Sequence, residues 1–403
     1  MSDSLASATS LGMSRRQVFL MALSCALAVS AIYYHQPLLP QMAAGFGVTL
    51  ADAGLVATLT QLGYAIGLLC FVPLADGIQP RKLASRLIVG NAVAMIGCAM
   101  APTFPVLVAC SFMVGMTAVT AQIIIPAVSG RAMPAHRGRI VGALLGGLSS
   151  GVLLARMLSG MVGGQMGWRA IFVLASIVDV ALLAVVRELP VSNGLTVIRY
   201  RELIGSLAVL VRRERQLRIS AATGFLVFAA FSALWASLAA LLVRPPYALG
   251  PAAIGAFGLI GLPGLAMSPR IGAIVDRIGA RTVVSAGAIT AAAAFACIAM
   301  AGSSVAWLIL GMILLDLGNR AGLVANQARI YTQRPEARSR LNTVFMVSYF
   351  LGGAAGAALG GYAVHRAGWI GLAAVGTVLA LAAAAVNTLS CQLSRTALAE
   401  QTR

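Results

Sequence analysis

Val72-Pro-Leu-Ala-Asp76-Gly-Ile-Gln-Pro-Arg81-Lys82-Leu83 is a short, charged, turn-forming stretch held between two long apolar runs. Further on the chain writes it again as Gly272-Ala-Ile-Val-Asp276-Arg277-Ile-Gly279-Ala-Arg281. Each copy sets an Asp where an apolar helix ends, then a tight turn, then Arg or Lys where the next apolar helix begins. Such a carboxylate can pair with a cation or sit at the positive end of a neighbouring helix. A latch of this kind can hold helices together on one face of a membrane and be released. One charged turn is commonly just solvated; two at matching places in one chain are a repeat.

The rest of the chain repeats in step with the turns. An offset of 201 lays Pro134-Ala-His-Arg137-Gly-Arg139 over Pro335-Glu-Ala-Arg338-Ser-Arg340, and carries Gly151 to Gly352, Gly160 to Gly361 and Gly167-Trp168 to Gly368-Trp369. The chain is therefore a duplication, and its function belongs to both halves.

Composition gives the class. Apolar residues make up 60% of 403 positions, charged residues 10%, and mean hydropathy is +0.91. A soluble domain has about 45–50% apolar and about 25% charged residues, so the chain lives in a bilayer. Apolar runs recur at 18–39, 53–75, 83–101, 104–130, 139–163, 168–187, 218–243, 252–271, 282–302, 304–328, 341–363 and 368–391. Each approaches or exceeds the roughly 20 residues that a spanning helix needs. The fold expected is all-α, twelve transmembrane helices in two pseudo-symmetric six-helix bundles. All but five of the 29 basic residues fall on the side of the termini and the two latch turns; Arg169, Arg244 and Arg366 lie opposite, and Arg156 and Arg320 lie within spans. That bias sets both termini in the cytoplasm. It also explains the net charge of +18 without nucleic acid.

The expected layout is a polar N-terminal tail over 1–17, a first bundle over 18–187, a cytoplasmic linker over 188–217, a second bundle over 218–391 and a tail over 392–403. Ser14-Arg15-Arg16-Gln17 superficially resembles a twin-arginine signal, yet eleven further spans make it a cytoplasmic anchor for the first. In the linker, Leu203, Leu207 and Leu210 recur at helical spacing, which predicts an amphipathic helix at the interface. The six cysteines form no CxxC pair and read as packing residues. A phosphate-cradling loop needs Gly-Lys, whereas the single lysine, Lys82, follows Arg81. No metal cluster, cofactor motif or nucleophile–base pair stands out, so an enzyme is not expected.

The two Asp turns resemble the signature loop of the major facilitator superfamily, which lies between spans two and three and recurs between eight and nine. The second copy fits that pattern well; in the first, Val72 and Gln79 stand in place of glycines and Gly77 in place of Arg. Tyr33-Tyr34-His35-Gln36-Pro37-Leu38-Leu39-Pro40 and Arg338-Ser-Arg340-Leu-Asn342 extend the resemblance, toward bacterial efflux permeases. The resemblance implies a central cavity lined by spans 1, 4, 7 and 10, moving walls from 2, 5, 8 and 11, and spans 3, 6, 9 and 12 outside. It also implies gating by Asp76, Arg81, Asp276, Arg277 and Arg281. Two drug-antiporter features are absent: Ser111 stands where span four would carry Arg, and Gly151 is followed by Val152.

Polar residues inside spans are costly and so point to function. Asp316 and Arg320 are four apart on one helix face; Asp52 caps a helix and Asp179 falls in an outer span. Asp316 is thus the proton-carrying candidate, with a static ion pair as the alternative. Arg156 could attract an anionic or carboxylate-bearing substrate or bridge other spans. Gln61, Tyr64, Gln122, Asn326 and Gln327 could add hydrogen bonds, and Tyr34, Trp235 and Tyr349 aromatic walls. Gly63/Gly67, Gly147/Gly151 and Gly352/Gly356/Gly360 give smooth helix faces that could slide. The function expected is secondary transport of a small molecule by alternating access, as proton-coupled efflux from a monomer in the bacterial inner membrane. A proton-coupled uptake symporter and a non-transporting membrane sensor are the alternatives.

Overall fold

In the computed structural model, residues 14–129, 136–189, 200–333 and 337–401 are described. The expected tail before Ser14, part of the linker and the Pro134 and Pro335 ends of the repeat lie outside these residues. Ten helical stretches among them are long and apolar enough to cross a membrane. The last, Arg338–Leu389, runs for 52 residues and loses helical geometry at Ala367 and Gly368, so it holds spans 11 and 12. The first span falls short of an unbroken crossing because it is interrupted: helix Arg15–Ser30, a turn over 31–35, a 3-10 turn Gln36–Leu38, then helix Leu39–Phe46. Twelve spans result, as composition led us to expect.

The other spans are Leu50–Phe71 (span 2), Pro80–Ala99 (3), Phe104–Thr117 with Thr120–Ser129 (4), Arg137–Met166 (5) and Trp168–Val186 (6). After the connector come Arg215–Leu242 (7), Pro251–Ala256 with a 3-10 turn Phe257–Gly261 and Leu262–Ile278 (8), Ala280–Ala299 (9) and Val305–Tyr331 (10). The connector carries a helix over Tyr200–Arg213. Leu207 and Leu210 are buried there, as their spacing predicts. The last helix continues to Gln401, through most of the expected tail over 392–403.

Local chemistry accounts for several starts. Ser14 and Gln17 form a capping box, Ser14 Oγ accepting from the Gln17 amide at 3.1 Å and the Gln17 side chain accepting from the Ser14 amide at 3.0 Å. Thr49 and Asp52 do the same for span 2, which explains the Asp at that position. The breaks have causes too. Pro37 lacks the N–H that would continue the first helix and Pro263 opens the second segment of span 8.

The duplication is visible in the packing. Spans 1 and 5, 2 and 4, and 3 and 6 pair in the first half; 7 and 11, 8 and 10, and 9 and 12 pair in the second. Gly167 and Gly368, matched by the offset of 201, both take positive φ (82° and 53°) where spans 5 and 11 turn into 6 and 12. The two latch turns differ. Gly279 turns at φ 85°, whereas its counterpart Gln79 has no such freedom, and the first turn is made by a 3-10 helix over Pro73–Asp76.

The glycine ladders prove to be fasteners within each half. Gly147 and Gly151 lie against the Ala22 and Ala26 backbone of span 1, Gly63 and Gly67 against span 4, and Gly352, Gly356 and Gly360 against Phe225, Ala229 and Ala233 of span 7. The seam between halves is formed by other contacts. Span 2 meets span 11, and span 5 meets span 8, where Gly160 abuts Pro251 and Gly255. On the side remote from the termini, residues 28–39 of span 1 and Val227–Leu242 of span 7 are buried all round. Nearer the termini the same spans are buried on one face only. Gly142 and Gly146 of span 5 likewise meet nothing there. The seam is shut on the far side and parted on the terminus side.

Candidate functional site

Arg156 projects from span 5 into the shut part of the seam and is 2% exposed. Its Nε donates to Gln36 Oε1 at 2.6 Å. The guanidinium carbon lies 3.6 Å from the centre of the Trp235 ring and 4.9 Å from that of Tyr33. Nη2 has no partner, and no carboxylate comes within ion-pair distance among the described residues. A small cavity lies alongside, lined by Gln36, Pro37, Arg156, Trp235, Leu238, Ala239 and Ile254. It has room for about one water molecule.

Two breaks build this site. The turn at 31–38 brings both Tyr33 and Gln36 to the guanidinium. The 3-10 turn of span 8 carries Gly258 past it, so close that a methyl group there would stand 3.0 Å from Arg156 Cβ. Span 7 supplies Trp235, so residues from both halves enclose one cation. Desolvating an unpaired charge costs several kcal/mol, and a cation–π contact returns up to about 2 kcal/mol. Two such contacts and the bond to Gln36 offset much of that cost.

One step toward the termini, Asp316 and Arg320 of span 10 form an ion pair of 2.8 Å, Arg320 Nε donating to Asp316 Oδ2. Asp316 is 7% exposed. Gly261 and Gly264 of span 8 lie over the pair, and Leu153 of span 5 reaches Gly261. Arg156, Arg320 and Asp316 thus form one electrostatic group with a surplus of one positive charge.

From Trp235 an aromatic row follows span 7 toward the termini. Trp235 neighbours Phe231, Phe231 stacks on Phe228, and Phe228 stacks on Tyr349 at 3.9 Å. Phe350 joins it and meets Tyr64 across the seam at 4.2 Å. Gln61 lies beside Gly353 of span 11, its Oε1 unpartnered.

The candidates separate accordingly. Arg156, Trp235, Asp316, Arg320, Gln61 and Tyr64 lie along the seam, with Gln122 beside Tyr64 and Tyr349 bonded to Asn319 at 2.9 Å. Tyr34 turns away, toward Ser30 and Asp179 inside the first half. Asn326 accepts from Thr223 at 3.1 Å and from Arg329 at 2.5 Å, and Gln327 donates to Asn342 at 3.2 Å. Both tie helices of the second half together. Tyr33 and Gln36 were not singled out by the sequence, because only the break in span 1 reveals which side chains of that stretch face Arg156. Arg329 was missed as well. It donates to Ser220 at 2.8 Å and to Asn387 at 2.8 Å, joining spans 7, 10 and 12. Asp179, set aside on topology, is buried with one carboxylate oxygen unpartnered.

Of the gating residues, Asp276 and Arg277 are exposed and make no ion pair among the described residues. Arg281 donates to the Thr388 carbonyl at 3.1 Å, and Arg81 is half-buried. The Asp76 side chain lies outside the described residues.

Comparison with known proteins agrees with this architecture. The family model for the Major Facilitator Superfamily matches residues 18–262 and 220–396. The chain is 35% identical over 365 residues to the uncharacterized transporter YgaY of Escherichia coli O157:H7, covering 90% of this chain and 93% of that protein. It is 26% identical over 397 residues to the inner membrane transport protein YnfM of Escherichia coli K12, covering 92% and 90%. A crystal structure of the nucleoside transporter NupG superposes with a TM-score of 0.74 at 15% identity, covering 92% of this chain and 99% of that one; at that identity the likeness is one of fold. Duplicated halves, a seam holding buried charge and a family match across both halves lead to one assignment: this chain belongs to the Major Facilitator Superfamily and is a multi-pass membrane transporter of that type.

Proposed function

We propose that the chain is a proton-coupled exporter of a small molecule, with Asp316 as the proton carrier. The observation that carries this reading is the Asp316–Arg320 pair, buried at the seam beneath Gly261 and Gly264 of span 8. Protonating Asp316 removes the negative charge that holds Arg320. It leaves Arg320 on the same helix and Arg156 across the seam without an acid between them. Their repulsion disfavours the shut seam, so proton occupancy shifts the balance between states. Tyr33 of span 1 lies against Arg156 and feels the same change.

Positive-inside charge bias sets the termini in the cytoplasm. On that basis the parted side of the seam faces the cytoplasm, the compartment from which an exporter loads. The gating turns fit the same scheme: Asp276 is unlatched here, and latching belongs to the outward-open state. A single chain is sufficient, since both halves of the seam come from one polypeptide. Placement in the bacterial inner membrane is supported by the charge bias and by the name of the YnfM relative.

A second reading, uptake with a proton, is favoured by the charge count at the seam. A proton on Asp316 strengthens attraction for an anion, and two ligands that help each other bind move together. Everted vesicles with imposed pH gradients separate the two. They would be screened with a cationic dye, benzoate and a neutral nucleoside. Export requires that a probe accumulate when the lumen is acid, and that Asp316→Asn abolish this response. Accumulation only under the opposite gradient establishes uptake. Transport indifferent to the gradient in the parent protein removes proton coupling.

A further inference from the structure

We propose that Arg156 is the anchoring residue for the carboxylate of a small, flat organic monoanion. This inference names the substrate class of the transporter just described; it rests on the chain being a carrier and, by the charge argument above, belongs to its uptake reading. Among the described residues Arg156 is a buried cation without an acid partner, and Asp316 is engaged by Arg320. Its Nε is bonded to Gln36, while Nη2 is orphaned beside a cavity. Trp235 and Tyr33 lie against the guanidinium as cation–π partners. The remaining Nη edge is a planar fork of N–H donors, which matches the two oxygens of a carboxylate better than a single acceptor.

The charge count specifies one negative charge, because among the described residues Arg156 and Arg320 face the single carboxylate of Asp316. The walls specify a flat apolar body: Trp235, Leu238 and Ile254 border the cavity, and the aromatic row continues through Phe231 and Phe228 toward the parted side. In the shut arrangement the cavity admits about one water. Trp235 therefore shields the guanidinium here, and a ligand enters as the seam widens and the indole gives way.

The test is binding to the purified full-length protein, read by thermal shift and tryptophan fluorescence. Probes are benzoate, phenylacetate and indole-3-acetate, each against its neutral amide, with benzylamine as the cation. The expected result is saturable binding of at least one carboxylate, about tenfold or more tighter than its amide, with benzylamine inert. Arg156→Gln abolishes that preference, and Arg156→Lys, which keeps the charge but loses the fork, retains part of it. Should Arg156→Gln fail to fold, the carboxylate-to-amide ratio of the parent and its decline with salt still decide. Equal binding of acid and amide, preference for benzylamine, or no carboxylate binding at millimolar concentration overturns the proposal. So does an acid preference that survives in a folded Arg156→Gln protein. Proteoliposomes separate this inference from the reading beneath it. A carboxylate that binds through Arg156 but does not cross leaves the anion site standing and overturns transport of it. Gradient-driven movement of a cationic or neutral probe, with carboxylates neither bound nor moved, overturns the anion site and leaves the transporter.

Discussion

A methyl group at Gly264 would overlap the Asp316 carboxylate and stand 2.9 Å from Arg320 Nε. The ion pair therefore depends on a missing side chain in another helix. Gly264→Ala should prise the pair apart and move the pH midpoint of transport while the protein still folds. Asp316→Asn should abolish the response to pH. An unchanged profile in Gly264→Ala vesicles would mean that the pair tolerates separation and has no part in coupling. Asp179→Asn is the counterpart, since Asp179 is also buried but sits on span 6 away from the seam; transport there should keep its dependence on pH. At this scale the sequence was partly legible. Asp316 and Arg320 declare themselves by spacing of four on a helix, and Arg156 and Asp179 by the cost of charge in a bilayer. Tyr33, Gln36 and Gly264 did not, because their roles depend on which way a broken helix turns and on what an absent side chain leaves room for.

Element by element, apolar run length was a reliable guide and helix continuity was not. Pro37 and the 3-10 turn before Pro263 interrupt spans 1 and 8 at the depth of Arg156, and hydropathy is blind to both. Glycine spacing correctly announced close helix contact but not which helices. Gly356 packs on Ala229 of span 7, where a methyl group would overlap the Ala229 backbone, so the contact belongs to the interior of one half. Gly356→Ala should destabilise the protein by roughly 1–3 kcal/mol through overpacking. Gly142→Ala, where nothing lies within 4 Å, should be neutral or stabilising by about 0.5–1 kcal/mol. Thermal unfolding in one detergent compares them, and equal midpoints would refute the packing argument. Arg329 makes a complementary case. Its three donors reach Ser220, Asn326 and Asn387, so it fastens spans 7, 10 and 12. Arg329→Met should lower the thermal midpoint yet leave the carboxylate-to-amide preference intact, whereas Arg156→Gln should do the reverse. A midpoint unchanged in Arg329→Met would show that the network contributes nothing to stability.

On the scale of the whole molecule, each half is fastened internally and the two halves meet along one seam. Within the halves, helix pairs meet backbone to backbone along glycines. Between them, contact is made on the far side at Gly160, Gly255 and the buried lengths of spans 1 and 7, and along spans 2 and 11 through Tyr64 and Phe350. The duplication, the span count and the two-bundle layout were legible because they are written in repeats and hydropathy. The state of the seam was not, since repeats and hydropathy carry no record of which side is parted. A bulky group at Gly160 should prevent far-side closure. In a cysteine-free background carrying Leu238→Cys, buried at the cavity, Gly160→Leu should render that cysteine reactive to an impermeant maleimide added outside intact cells. The parent should stay unlabelled. Asp276→Asn should push the other way, because losing the latch on the terminus side depopulates the outward-open state, so labelling in Gly160→Leu should fall when the two are combined. Identical labelling in all three proteins would mean that neither Gly160 nor Asp276 governs which side is open, and that the gate lies elsewhere along the contact of spans 2 and 11.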